Sequence, residues 1–194
     1  MSLNASEAAL QTHINEVIAL SDEEFADIRP YFERRSYKKH QYLLQAGDAA
    51  PYEFFVLKGL LKASYSDLAG KVHILQFALE GWWISDVTAF NLHTPALLSI
   101  DCVEDTQVLF ISFDNKEKLC AASRKMEYFF RKKYTAGNAA LQRRLLFLLS
   151  ATATERYQQL LQQYPELYQR VPKSLLAAYL GVTRETLSRL SQTP

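Results

Sequence analysis

Cysteine, glycine and proline are all scarce in this 194-residue chain, at two, six and six residues. So little glycine and proline, beside 48% hydrophobic and 22% charged residues, excludes collagen-like, low-complexity and wholly disordered chains. Cys102 and Cys120 have no Cys-x-x-Cys spacing and no clustered histidine, which excludes a disulfide framework or a metal knuckle and leaves structural thiols. Long apolar runs are missing as well. Segments such as Leu145–Leu149 fall far short of the roughly 20 residues a spanning helix needs, and Met1–Glu7 carries neither a basic nor an apolar leader region. A soluble, cytoplasmic protein with no membrane partner is expected.

Motifs for catalysis are equally thin. The histidines, His13, His40, His73 and His93, form no His-x-His pair beside a carboxylate, as a cupin-type metalloenzyme would. No nucleophile elbow, phosphate-binding glycine loop or zinc-protease helix motif occurs. The expectation is therefore a protein that is not an enzyme, with no metal site and no bound cofactor.

What the chain does have is an uneven distribution of charge. Residues 1–123 hold 10 Lys and Arg against 17 Asp and Glu, a net −7, whereas residues 124–194 hold 12 against 4, a net +8. Neutralising phosphate needs cations gathered in one place, so an acidic body with a basic C-terminal third fits a nucleic-acid-binding module joined to a domain that does not bind. A helical segment with a solvated basic face has the same charge signature.

The pattern divides the chain further. Ser21-Asp22-Glu23-Glu24 places a cap and early acids before Phe25, Ile28 and Phe32, predicting a capped amphipathic helix. From Tyr42 to Phe113, short runs rich in Val, Ile, Phe and Tyr alternate with turn signals at Gly47-Asp48, Lys58-Gly59, Asp67–Gly70, Glu80-Gly81 and Glu104-Asp105. Without a helical crossover pattern between them, these predict an antiparallel sandwich or barrel. Lys116 to about Gln163 predicts two or three helices. Ala140, Leu141, Leu145, Leu148 and Leu149 form an apolar stripe beside Arg143 and Arg144, equally compatible with a core contact and with a dimer seam. Pro165 and Pro172 bracket a predicted connector.

The last segment, Val171–Leu190, carries the most information. Leu176 and Leu180 share a face, small Ala177 lets a second helix approach, and Gly181 suits a turn that needs positive φ. Thr183 then caps a second helix, with Val182 and Leu187 as a hydrophobic staple and Leu187 and Leu190 facing inward. Arg184, Glu185, Ser188 and Arg189 remain on the outward face, where a recognition helix presents side chains to the major groove. Arginine can bond guanine O6 and N7 together, glutamate can accept from cytosine N4, and the hydroxyls of Thr183 and Ser188 suit phosphate oxygens. A plain helical hairpin with solvated charges is the alternative.

With Gly181-Val182-Thr183-Arg184-Glu185-Thr186-Leu187-Ser188-Arg189 at its centre, this segment resembles the helix-turn-helix of the cyclic-AMP receptor protein and fumarate–nitrate regulator (CRP/FNR) superfamily. The β-rich region with Gly47-Asp48, Gly59 and Gly81 is similar to that family's cyclic-nucleotide-binding β-roll. The resemblance implies an α+β fold: an effector domain over 1–122 with an antiparallel β-roll core about 38–114, a dimerisation helix region over 123–151, and a helix-turn-helix domain over 152–194. It implies a homodimeric transcription regulator, double-stranded DNA as partner on half-sites about 34 Å apart, and RNA polymerase as a further candidate partner. Lys173, Ser174, Thr183, Arg184, Glu185, Thr186, Ser188 and Arg189 are the implied DNA-binding residues.

The sequence departs from the family in three places. Nucleotide-binding members carry a Gly-Glu pair and then an arginine that clamps the cyclic phosphate. Here the stretch runs Gly81-Trp82-Trp83-Ile84-Ser85-Asp86 and later Pro95-Ala96-Leu97-Leu98-Ser99, with Ala96 at the arginine's place and no arginine between Arg35 and Arg124. Cyclic AMP held in the usual way is not expected, and an unknown small-molecule effector is assigned to a more apolar pocket formed by Trp82, Trp83, Ser85, Asp86, Leu97 and Ser99, although core packing is the simpler role for the tryptophans. Only Ser191–Pro194 follow the second helix, implying a truncated or absent wing, and two cysteines cannot supply the four of the iron–sulfur sensors. A ligand-sensing module without sequence-specific DNA binding remains the alternative function.

Overall fold

The structure, a computed structural model, describes residues 5–191. Helix α1 spans Ala5–Asn15 and α2 spans Asp22–Ile28. The predicted cap is present: the Ser21 hydroxyl accepts from the Glu24 amide at 3.2 Å, and the Glu24 carboxylate accepts from the Ser21 amide at 2.8 Å. The helix stops earlier than its apolar spacing suggested. A 3-10 turn at Arg29–Tyr31 contains Pro30, which has no amide for a further α-helical bond, and leaves Phe32 on extended backbone.

Among the described residues eight strands follow: β1 Glu33–Tyr37, β2 Tyr42–Leu44, β3 Tyr52–Lys58, β4 Leu61–Ser66, β5 Val72–Ala78, β6 Trp83–Ile84, β7 Ser99–Cys102 and β8 Thr106–Ser112. They form two four-stranded sheets, β1-β8-β3-β6 and β2-β7-β4-β5. The antiparallel register places Phe54 opposite Phe110 and Phe55 opposite Leu109, and Ala63 opposite Ile100. The strands begin before the predicted β region because β1, Glu-Arg-Arg-Ser-Tyr, is almost wholly exposed and shows no alternation. Charge on such an edge strand hinders pairing with another chain. A short helix, α3 Val87–Leu92, also interrupts the β region where no helix was expected.

Successive residues of a strand point to opposite faces, so a strand covered on both sides needs an unbroken apolar run. In β3, Phe54 and Val56 enter one core with Leu61, Ile100, Val108 and Phe110. Phe55 enters another with Leu10, Ile14 and Phe25 of α1 and α2, together with Leu119, Met126 and Phe129. The last three come from α4, Phe113–Ala122, and from α5, Arg124–Ser150. Gly59 fits the tight β3–β4 turn with φ +99°, and a Cβ there would lie 2.5 Å from the Asp105 carbonyl oxygen.

Chain contacts divide the protein into two compact units. One holds the chain to Tyr65 with Gln76–Tyr134; the other holds Ser66–Leu75 and the chain from Thr135. The second includes the later part of α5, then α6 Ala153–Gln163, α7 Pro165–Arg170, α8 Lys173–Leu180 and α9 Arg184–Leu190. The predicted connector between Pro165 and Pro172 is therefore a helix. Pro165 occupies its first turn, where no amide is needed, and Leu167 is buried. The stripe on α5 is not a core contact within the chain: Leu141, Leu145, Leu146, Leu148 and Leu149 are all exposed, Leu149 to 77%.

Candidate nucleic-acid interface

Leu176, Ala177 and Leu180 bury one face of α8, and Leu187 is completely buried on α9. Between these helices Gly181 adopts the left-handed conformation with φ +68°, while the Val182 amide donates to the Ala177 carbonyl at 3.0 Å. This closure satisfies a carbonyl at the end of α8 and redirects the chain within three residues. Thr183 then caps α9, its hydroxyl accepting from the Thr186 amide at 3.2 Å. The pair of helices is thus held by buried Leu176, Leu180 and Leu187, by small Ala177, by the Gly181 turn and by the Thr183 cap.

Lys173, Ser174, Thr183, Arg184, Glu185 and Arg189 are exposed, while Thr186 and Ser188 are half-buried. The Thr186 hydroxyl lies 3.1 Å from that of Thr183 and accepts from Arg189 at 3.4 Å, so it also orders its neighbours. Backbone hydrogen bonding at the helix start, followed by the Thr183 side chain, holds the Glu185 carboxyl below the usual carboxylate range. At neutral pH Glu185 is an ionised acceptor between two arginines.

Two arginines of the basic third have a different task, which charge counting did not reveal. The Arg144 guanidinium donates to the carbonyl oxygens of Ile74 and Tyr179, each at 3.0 Å, and stacks 3.5 Å from the centre of the Tyr179 ring. Arg156 donates to the carbonyls of Leu180 and Ala151 at 3.0 and 2.7 Å. Together they cap the carbonyl end of α8, where cations are favoured, and position the helix pair from inside. Lys125 pairs with Glu24 and Arg131 with Glu127, so part of the C-terminal positive charge is matched by neighbouring carboxylates. Within α8 and α9, Lys173, Arg184 and Arg189 remain at the surface.

The six residues assigned to an effector do not share one environment. Trp82 packs against the core between the sheets, whereas Trp83 packs against the helical side with Phe55, Phe129 and Phe130. Asp86 is buried, and its carboxylate accepts from the amides of Ala89, Leu97 and Leu98 at 2.8–3.1 Å. Those bonds cap α3 and tie down the segment after it, leaving the carboxylate committed to its own backbone. Ser85 donates to Glu53, the Ser99 hydroxyl accepts from the Ala46 amide, and Leu97 is 64% exposed. None of the six lines a cavity of about 100 Å³ between α1, α2, β1 and β8, whose walls include Leu10, Phe25, Arg29 and Arg34.

A cyclic phosphate clamped by arginine needs that side chain beside the anion, and the resemblance puts the arginine in the segment after α3. Ala96 stands there instead, buried, its amide donating to the Asp48 carbonyl and its carbonyl accepting from the Gly47 amide, both at 2.8 Å. An arginine clamp is thus replaced by a small side chain packed on a turn, and the residues present do not fit a phosphate bound in that way. Among the described residues no group of three or more His, Cys, Asp or Glu side chains is placed to hold a metal ion. No described helix is long and apolar enough to cross a membrane.

No curated protein matches this sequence. The family model for the cyclic nucleotide-binding domain matches residues 34–123. Among solved structures, FixK2 from Bradyrhizobium japonicum superposes with a TM-score of 0.68 at 22% identity, covering 82% of each chain. CooA from Carboxydothermus hydrogenoformans gives 0.70 at 20% identity over 88% of this chain and 79% of its own. The catabolite activator protein of Thermus thermophilus gives 0.56 at 22% identity over 89% and 83%. Residues 34–123 thus match the cyclic nucleotide-binding domain model, and the chain has the fold of these solved structures.

Proposed function

We propose that the protein is a homodimeric, DNA-binding transcription regulator whose α9 enters the major groove, and that its effector is not cyclic AMP held by an arginine clamp. The observation that carries the reading is the sidedness of α9: Leu187 is fully buried while Arg184, Glu185 and Arg189 are exposed on one short helix. Arg184 and Arg189 are the base-reading donors and Glu185 the acceptor. Lys173 and Ser174 at the start of α8 contact phosphate, with Thr183 and Ser188, and fix register without reading sequence. Thr186 supports Thr183 and Arg189 from the same helix.

Two such helices reading a pseudo-palindrome must be held about one helical turn, roughly 34 Å, apart. The exposed Leu141, Leu145 and Leu148 on α5 lie at i, i+4 and i+7, the spacing of a helix-pair seam. An effector can act only by binding one arrangement of the dimer better than another. RNA polymerase is the partner through which a bound regulator of this type would act.

The test compares two alanine variants on a selected site and on random duplex. Arg184→Ala should cost about 1–3 kcal/mol on the selected site and relax one base position. Lys173→Ala should weaken both DNAs alike and reduce the salt dependence by about one phosphate contact. Equal losses from both variants on both DNAs would contradict these roles, and no binding of wild type to either would return the protein to a ligand-sensing module.

A further inference from the structure

A chain of buried polar groups runs through the helical side of the first unit and plays no part in the function proposed above. On α1, His13 Nε2 accepts from Trp83 Nε1 at 3.1 Å, and its Nδ1 lies 3.4 Å from Glu16 Oε2. A neutral ring protonated on Nδ1 satisfies both partners. The ring also packs against Phe55 and Phe129, at centroid distances of 5.0 and 5.9 Å. On α5, the Lys133 ammonium sits 3.7 Å from the centre of the Trp83 ring and 3.6 Å from Glu53 Oε2.

Charge in this cluster is unbalanced. Lys116 of α4 also approaches Glu53 Oε2, at 3.4 Å, so two lysines share one carboxylate. The Tyr134 hydroxyl donates to Glu53 and accepts from Lys116. Glu53 Oε2 and Lys133 Nζ are buried without a hydrogen-bond partner. The charged groups acting on His13 are Glu16 on its own helix and Lys133 on α5, and Lys133 is in turn joined by Glu53 of β3, with Lys116 of α4 and Tyr134 of α5. Only Glu16, largely exposed, offers His13 a direct carboxylate contact.

We propose that His13 is an acid-sensitive latch: protonating its ring breaks the Trp83–His13 hydrogen bond and releases α1 from β6 and α5. A proton on Nε2 would point one N–H donor at another and place a second cation beside Lys133 across the Trp83 ring. Burial first, and then repulsion from Lys133, hold the histidine below its ordinary value, with Glu16 opposing. The latch is therefore closed at neutral pH and opens in mild acid, below about 6.5. The unfolded chain binds this proton first as pH falls, so the stability contributed by the closed latch is lost from about 6.5 downward through the folded value.

The test follows the His13 ring proton and the Trp83 indole N–H by NMR from pH 8 to pH 5 in the full chain, with H13Q and W82F spectra for assignment. Both signals should move together with a midpoint below about 6.5, and amide protection in α1 should fall with them. H13Q keeps an acceptor for Trp83 and should abolish the transition, leaving α1 protected at pH 5. Lys133→Met removes the neighbouring cation and should move the His13 midpoint upward. A His13 titration that leaves the indole and α1 unchanged would overturn the latch, as would the same transition in H13Q or an unmoved midpoint in Lys133→Met.

Discussion

Replacing Arg144 by alanine tests whether the helix pair is positioned from within. The guanidinium makes two 3.0 Å bonds to main-chain carbonyls, on Ile74 and on Tyr179, and sits over the Tyr179 ring, 3.5 Å from its centre. A hydrogen bond involving a charged group is worth about 1.5–3 kcal/mol net, and a partly desolvated cation–π contact about 1–2 kcal/mol. The three share one side chain and do not add in full, so Arg144→Ala should cost about 3–4 kcal/mol. Arg144→Lys should recover less than half, because lysine lacks the delocalised guanidinium that sits over the Tyr179 ring while donating to both carbonyls. Hydrogen exchange monitored by mass spectrometry separates the outcomes: protection should fall in α8, α9 and the 66–75 hairpin and persist in β3 and β8. A cost below about 0.5 kcal/mol, the level of an ordinary surface substitution, or full rescue by lysine would refute the reasoning.

Other perturbations follow from the same geometry. Leu187→Ala should destabilise the second unit by about 2–5 kcal/mol, read from denaturant unfolding, because the side chain is wholly buried where α8 and α9 meet. Leu145→Glu should raise the dimer dissociation constant by roughly 100-fold, about 3 kcal/mol, by placing an unpaired charge in the leucine seam, and sedimentation would reveal the monomer. Lys133 is held down to about 8, by burial first, with Glu53 opposing and Lys116 assisting. An unfolded lysine keeps its proton to about 10.4, so this group makes stability rise between about pH 8 and pH 10.4. Lys133→Met should flatten that rise in pH-dependent unfolding.

Sequence reading recovered the features whose cause is local. Ser21, Thr183 and Gly181 act within three or four residues of their own position, as hydroxyl caps and a positive-φ turn, and each stands where its neighbours required it. Features set by distant partners were hidden. Strand β1 has no apolar alternation, because both its faces are largely open and its place is fixed by pairing with β8. Arg144 and Arg156 look like surface charge until their carbonyl partners are seen, three of the four lying 24 to 70 residues away. The Trp82-Trp83 doublet suggested one apolar pocket, yet its rings join different cores, as neighbours on extended backbone point to opposite sides. Asp86 carried the right chemistry for a ligand, but three backbone amides use it.

The central claim is that the exposed face of α9 reads paired bases in two copies at once. Selection of random duplex DNA by the purified full-length chain, followed by sequencing of the retained fragments, measures this directly. Two inverted half-sites with centres about 10 base pairs apart are predicted, and Arg184→Ala should lose preference at one symmetric position in each. No enriched sequence, or a single half-site retained equally well by the Leu145→Glu variant, would contradict it.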